Sequence, residues 1–211
     1  MYRLEFYCKQ TSLRDIKKEK TSNDLAEAAF ELALERGLDG FVVDDIVQRA
    51  GYSRRTFANY FSCKEEAIVS VALNQKGASR VADFILEIDK ETPPIDVLYQ
   101  LMKMQFTTNL LKKLRQLVSL SMKYPTLEPY ILSVLKHFQM EAMKVVRHIA
   151  HRDYPKSYPY QLAGSVYGAF LPLLDGSLDI LFPDQLADDS SDTLTFEQYL
   201  DTTFNYLRNG F

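Results

Sequence analysis

Cysteine, glycine and proline are all scarce in this 211-residue chain, and each scarcity closes off a class of protein. The two cysteines, Cys8 and Cys63, stand far apart and in no metal-ligand spacing, which excludes a disulfide framework and points to a reducing compartment. Eight glycines and eight prolines leave little material for turns, so long elements joined by few loops are expected. No apolar run is long enough to span a bilayer; the longest, Leu162 to Leu174, is followed by Asp175 and Asp179. The N-terminus alternates charged and apolar residues without a continuous apolar core, so no secretory leader is expected and the reading is cytoplasmic, with no membrane partner. Catalytic signatures are missing too: there is no glycine-rich phosphate loop, no nucleophile elbow and no carboxylate pair that stands out. Neither an enzyme nor a cofactor is expected.

What is present is ordinary for a globular protein, at 46 % hydrophobic and 25 % charged residues. Apolar residues recur at helical spacing, no strand-like alternation or internal repeat occurs, and the fold class read from the pattern is all-α. Pro93-Pro94, Pro125, Pro155 and Pro183 mark breaks, giving helices near 81–91, 95–107, 109–123, 126–152, 157–182 and 194–208. A net charge of −3 does not advertise a nucleic-acid ligand, but binding needs only a local basic face. From Arg49 to Lys64 the chain has Arg49, Arg54, Arg55 and Lys64 and no acid at all. Arg14, Lys17, Lys18 and Lys20 form a second basic cluster, diluted by Asp15 and Glu19.

Val42 to Lys64 is the most informative stretch. Val43, Ile46, Val47 and Ala50 keep helical spacing, and Asp44 and Asp45 occupy a first turn where the helix dipole favours negative charge. Gly51 sits where a left-handed residue ends a helix, and Ser53 can cap a second helix running to about Asn59. Two short helices around one glycine turn make a helix-turn-helix over about 42–61, whose second helix can enter a DNA major groove. An earlier helix begins near Arg14 or Thr21, ends at Gly37 and buries Leu25, Ala28, Ala29 and Leu32. Ser62 to Glu65 reads as a capping box opening a fourth helix that runs to about Arg80.

The run from Leu13 to about Ala67 resembles the DNA-binding domain of the tetracycline-repressor (TetR) family of bacterial transcriptional regulators. Ala28-Ala29, Glu35-Arg36-Gly37, Asp45-Ile46, Ala50-Gly51, Ser53, Thr56-Phe57, Tyr60-Phe61 and Lys64-Glu65-Glu66 carry the resemblance. It implies a homodimer with a helix-turn-helix domain at 13–66 behind an arm at 1–12, and an effector-binding and dimerisation domain at 67–211. The implied function is a regulator, a repressor on this reading, released from a palindromic double-stranded operator by a small hydrophobic or amphipathic effector. A helical ligand-binding or scaffold protein that keeps the frame but does not read DNA is the alternative.

Arg54, Arg55 and Asn59 are the candidates for base edges, since arginine grips guanine O6/N7 and asparagine adenine N6/N7 bidentately. The family position matched by Arg54 points the more directly into the groove. Ser53, Thr56, Tyr60 and Lys64 match family positions that touch phosphates or flank the groove, whereas Phe57 and Phe61 read as core. Two departures stand out. Ala58 replaces the family's tyrosine, and Val42 replaces a capping threonine, a loss of about 1 kcal/mol that Phe41 packing on Ile46 would offset.

In the C-terminal part, Ala163, Gly164, Ser165, Gly168 and Ala169 let another helix approach closely, and Phe196, Leu200, Phe204, Leu207 and Phe211 form a stripe. The resemblance makes these two helices half of an intersubunit four-helix bundle, with Gly164, Gly168, Leu200, Phe204 and Leu207 at the dimer interface. Met102, Phe106, Asn109, Met122, Met140, Met143 and Tyr167 are candidate pocket residues, though such spacing more often serves a core. His137, His148 and His151 share a face with Glu141, but neither a Glu-x-x-His pair nor a cysteine supports a metal site.

Overall fold

The computed structural model describes residues 13–73, 84, 87–89, 91–149, 154–175, 177–181 and 193–210. The arm at 1–12, Cys8, His151, Phe211, the acidic loop at 188–192, the end of the expected fourth helix at 74–80 and most of the helix expected at 81–91 lie outside them. Among the described residues the architecture is helical, and the only extended pairing is an isolated bridge between Leu181 and Thr195. The chain divides into two compact units.

The first unit contains four helices, α1 (Leu13–Arg36), α2 (Val43–Ala50), α3 (Arg54–Ala58) and α4 (Lys64–Ser70), together with Gln116–Val134. The expected stripe of α1 is fully realised: Leu25, Ala28, Ala29 and Leu32 are buried, and Ala26, Phe30 and Ala33 widen it. Its first two turns, rich in lysine, stay exposed. Gly37 stops the helix with φ 69° and ψ 170°, donating its N–H to the Ala33 carbonyl at 3.0 Å. That conformation is open to glycine alone. A side chain would also strike the Tyr124 hydroxyl, which lies 2.3 Å from where a Cβ would sit.

Valine at position 42 offers no acceptor to α2, yet the Asp45 carboxylate accepts the Val42 N–H at 2.8 Å, so half of a capping box survives. Phe41 and Ile46 are both buried. Gly51 is left-handed at φ 74°, ψ 32°, and the Tyr52 N–H reaches back to the Val47 carbonyl at 2.9 Å, as the glycine turn requires. The cap of α4 is displaced by one residue from the expected box. Cys63 is the N-cap, its sulfur accepting from the Glu66 N–H, while the Glu66 carboxylate accepts from the backbone N–H (2.7 Å) and hydroxyl (2.6 Å) of Ser62. Glu66 takes the role expected of Glu65 because the helix starts at Lys64.

The second unit takes 83–115 and 135–211. Its helical elements come from α5 (Pro94–Gln105), α6 (Thr108–Lys123), α7 (Glu128–Ile149), α8 (Tyr158–Asp175) and α9 (Phe196–Asn209), with the α6 and α7 residues divided between the units. Pro94 occupies the first turn of α5, where a missing N–H costs nothing. Helix α8 is shorter than the 157–182 expected: it ends at Asp175, soon after Pro172, and Leu181 turns instead to exchange hydrogen bonds with Leu194 and Phe196. Thr195 and Gln198 form a full capping box for α9.

The stripe of α9 faces inward within its own chain. Phe204 packs edge-on against Tyr99 of α5 at 5.2 Å, Phe196 meets Phe170 of α8 at 6.0 Å, and the Tyr199 hydroxyl donates to the Ala169 carbonyl at 2.6 Å. Arg208 forks onto Asp96 and covers the Tyr99 and Phe204 rings. Leu200 and Phe204 are 0 % exposed in the single chain, where α9 packs on α5 and α8. Leu207 is half-buried. Gly164 is half-buried and Gly168 exposed, on an outward face of α8 that also shows Tyr160 and Leu171.

Candidate nucleic-acid interface

Helix α3 is only five residues long, and its orientation follows from one buried ring. Phe57 points inward, 5.6 Å from the ring of the equally buried Phe61. That leaves Arg54, Arg55, Ala58 and Asn59 exposed, with Thr56 and Tyr60 half-buried at the margin. Ser53 caps the helix as its sequence position foretells, accepting the Thr56 N–H at 3.0 Å, and the two hydroxyls lie 2.9 Å apart. Behind the turn, the Tyr52 hydroxyl donates to Asp24 of α1 at 2.8 Å and ties the hairpin to the first helix.

The tract that is acid-free in sequence is not acid-free in space. Arg49 forks onto Glu35 of α1 at 2.8 and 2.6 Å, with Glu31 at 3.8 Å. The hydrogen bond from that guanidinium holds the Glu35 carboxyl below the usual carboxylate range. Arg54 forks onto Asp44 of α2 through its Nε and Nη2 atoms. Lys64 donates to the carbonyls of Leu38 (2.6 Å) and Phe41 (3.0 Å) and lies 5.0 Å from the Phe41 ring centroid. Lys64 therefore fastens the short 3₁₀ turn Leu38–Gly40 to the start of α4. Two of its three N–H donors are thereby used. Among the described residues Arg55 is the one cation of the four whose side chain is not engaged.

Residues 25–70 match the family model of the bacterial regulatory proteins of the tetR family. Over that span the chain is similar to the DNA-binding domain of the TetR family. No curated protein matches the sequence. The matched span runs from the first buried residue of α1 to the last residue of α4, so it covers the helix-turn-helix and the elements that orient it. TetR-family proteins are DNA-binding transcription regulators, and Ser53, Arg54, Arg55, Thr56, Asn59, Tyr60 and Lys64 all fall inside the matched span. The acids that meet the cations, Glu35 and Asp44, are not evident as partners in sequence. Their spacings of fourteen and ten residues bridge separate helices and carry no periodic signal.

In the second unit, outside the matched span, four aromatic rings converge. Phe106 lies 6.1 Å from Phe138, 6.1 Å from Tyr167 and 5.5 Å from Phe170. The Tyr167 hydroxyl is buried there without a hydrogen-bond partner among the described residues. Burial first, and the charge of Glu141 second, push it well above the usual tyrosine range. Met102 and Met143 are buried, but Met122 and Met140 are 76 % and 41 % exposed and Asn109 is exposed, which removes those three as buried pocket residues. His137 and His148 lie at the surface, and among the described residues no group of three His, Cys, Asp or Glu side chains could hold a metal. No helix among the described residues is long and apolar enough to cross a membrane.

Proposed function

We propose that the protein is a homodimeric repressor that occupies a palindromic operator and leaves it when a small apolar or amphipathic molecule binds. The observation that carries the reading is the exposure of Arg54, Arg55 and Asn59 side by side on a helix anchored by the buried Phe57. Arg54 and Arg55 read guanine edges and Asn59 an adenine edge, while Ser53, Thr56, Tyr60 and the free donor of Lys64 meet phosphates and fix the register.

Five residues of helix offer few contacts, so affinity depends on two copies engaging together. The outward face of α8, with Tyr160, Gly164, Gly168 and Leu171, supports a two-fold helix-on-helix contact, because the glycines admit close approach and the flanking apolar side chains are exposed. The cluster around Phe106 and the unpartnered Tyr167 hydroxyl supports effector binding. A ligand with an aromatic or aliphatic body and one polar group would satisfy both. Its effect on DNA follows if it prefers the arrangement in which the two recognition helices no longer match about one helical turn.

Selection of bound duplexes from a randomised pool, followed by sedimentation of the complex, tests this reading. Two half-sites in inverted repeat, bound by two copies, are expected. A non-repeated motif bound tightly by one copy, or no motif at all, would overturn it.

A further inference from the structure

We infer that Asp44 sets the base selectivity of Arg54 by occupying one edge of its guanidinium and leaving only the other edge for DNA. This rests on the proposed base-reading role of Arg54.

A guanidinium carries five N–H donors in a rigid plane. Asp44 takes the side edge: its two carboxylate oxygens accept from Nε and Nη2, the latter at 2.7 Å. What remains is the end edge, one N–H on Nη1 and the outer N–H on Nη2, parallel and in the spacing that matches guanine O6 and N7. Without the carboxylate, Arg54 could present either edge, or swing away to a phosphate.

The pair contributes little to stability, because both side chains stand in solvent, 69 % and 59 % exposed. The neighbouring acid does something else: Asp45 accepts from the Val42 N–H and lies 3.6 Å from Arg36. Asp44 is thus the acid turned toward α3, on the side where DNA would lie. A negative charge there repels phosphate and weakens binding to any duplex. It is tolerable where it increases the contrast between the right sequence and the rest. Among the described residues Arg55 has no such partner, so either edge of its guanidinium stays open to a base. A single carboxylate on α2 thereby restricts one of two adjacent arginines and leaves the other unrestricted.

The test compares D44N, D44E and R54A with the parent in duplex selection, in affinity for the selected operator, for its variant at the Arg54-dependent base pair, and for a random duplex. For D44N, discrimination at that base pair should fall about tenfold, while binding to the random duplex tightens severalfold because a repelling charge is gone. D44E, which keeps the charge and reaches farther, should recover part of the discrimination. A role confined to supporting α2 would weaken all three duplexes together and leave their ratios unchanged, and that result refutes the inference. So does a D44N protein that binds its operator selectively tighter, which would make Asp44 a latch on Arg54. If R54A selects the parental motif, the base-reading role falls and the inference with it. If R54A changes the motif and D44N does not, only the role of Asp44 falls.

Discussion

Gly37→Ala offers a measurement in which backbone and side-chain costs can be separated. At φ 69°, ψ 170° an alanine sits in a region reserved for glycine, a penalty of about 1–3 kcal/mol. The new methyl would also lie 2.3 Å from the Tyr124 hydroxyl oxygen and 3.3 Å from the ring carbon bearing it. Tyr124 must leave its rotamer, adding about 1 kcal/mol. Together these put the loss near 3 kcal/mol, or about 6–12 °C in Tm for a chain of this length. Gly51→Ala is the control, since its φ is also positive at 74° but nothing lies within 4 Å of its would-be Cβ. It should cost only the left-handed penalty of about 1–2 kcal/mol. Replacing Tyr124 by phenylalanine removes the closer atom, so Gly37→Ala should cost about 1 kcal/mol less in that background. Urea unfolding followed by far-UV circular dichroism reads the parent and all four variants. A coupling of zero between positions 37 and 124, or equal losses at the two glycines, would show that Tyr124 does not close over the end of α1.

Lys64→Met, which keeps the stem and strips the ammonium, should cost about 1–2 kcal/mol by orphaning the Leu38 and Phe41 carbonyls. It should also reduce the salt dependence of operator binding by about one unit if the third donor meets a phosphate, a slope measurable by fluorescence anisotropy. Because the Tyr167 hydroxyl titrates higher folded than unfolded, keeping it neutral stabilises the protein fully below the unfolded value near 10, and that stability is lost as pH rises beyond it. Tyr167→Phe should therefore flatten the alkaline fall in urea midpoint. Leu171→Glu should leave a folded monomer that binds the palindrome at least about tenfold more weakly, whereas Phe204→Glu should unfold the second unit by burying a charge; sedimentation and circular dichroism separate the two outcomes.

The helical frame was legible in sequence because its signals are local. Periodic apolar residues, Gly51 after Ala50, Ser53 before the arginines and the proline breaks each act within a few residues, and the helices begin near where those signals place them. The one-residue slip at the cap of α4 shows how narrow such signals are: cysteine is a poor cap on propensity, yet Ser62 and Glu66 close the box around it. What composition along the chain could not convey was the pairing of the basic tract. Charges at Arg49 and Arg54 are met by acids from other helices, so an acid-free stretch did not become an uncompensated surface. The stripe on α9 is ambiguous for a related reason. Helical periodicity says that a face is covered, and is silent on whether the cover is the same chain or a second copy.

The first unit's inclusion of Gln116–Val134 bears on how such regulators can be recombined. The 3₁₀ turn Pro125–Leu127 packs on α4, Leu127 is wholly buried, Tyr124 closes over Gly37, and the Cys63 thiol lies 3.2 Å from the Tyr130 hydroxyl. A graft that transplants residues 25–70 alone, the span shared with the family, would leave those partners behind and bare the apolar underside of α4. To move the DNA-reading part of this chain onto another sensor, the transplant must be discontinuous: two stretches of sequence separated by residues 83–115, carried as one piece of structure.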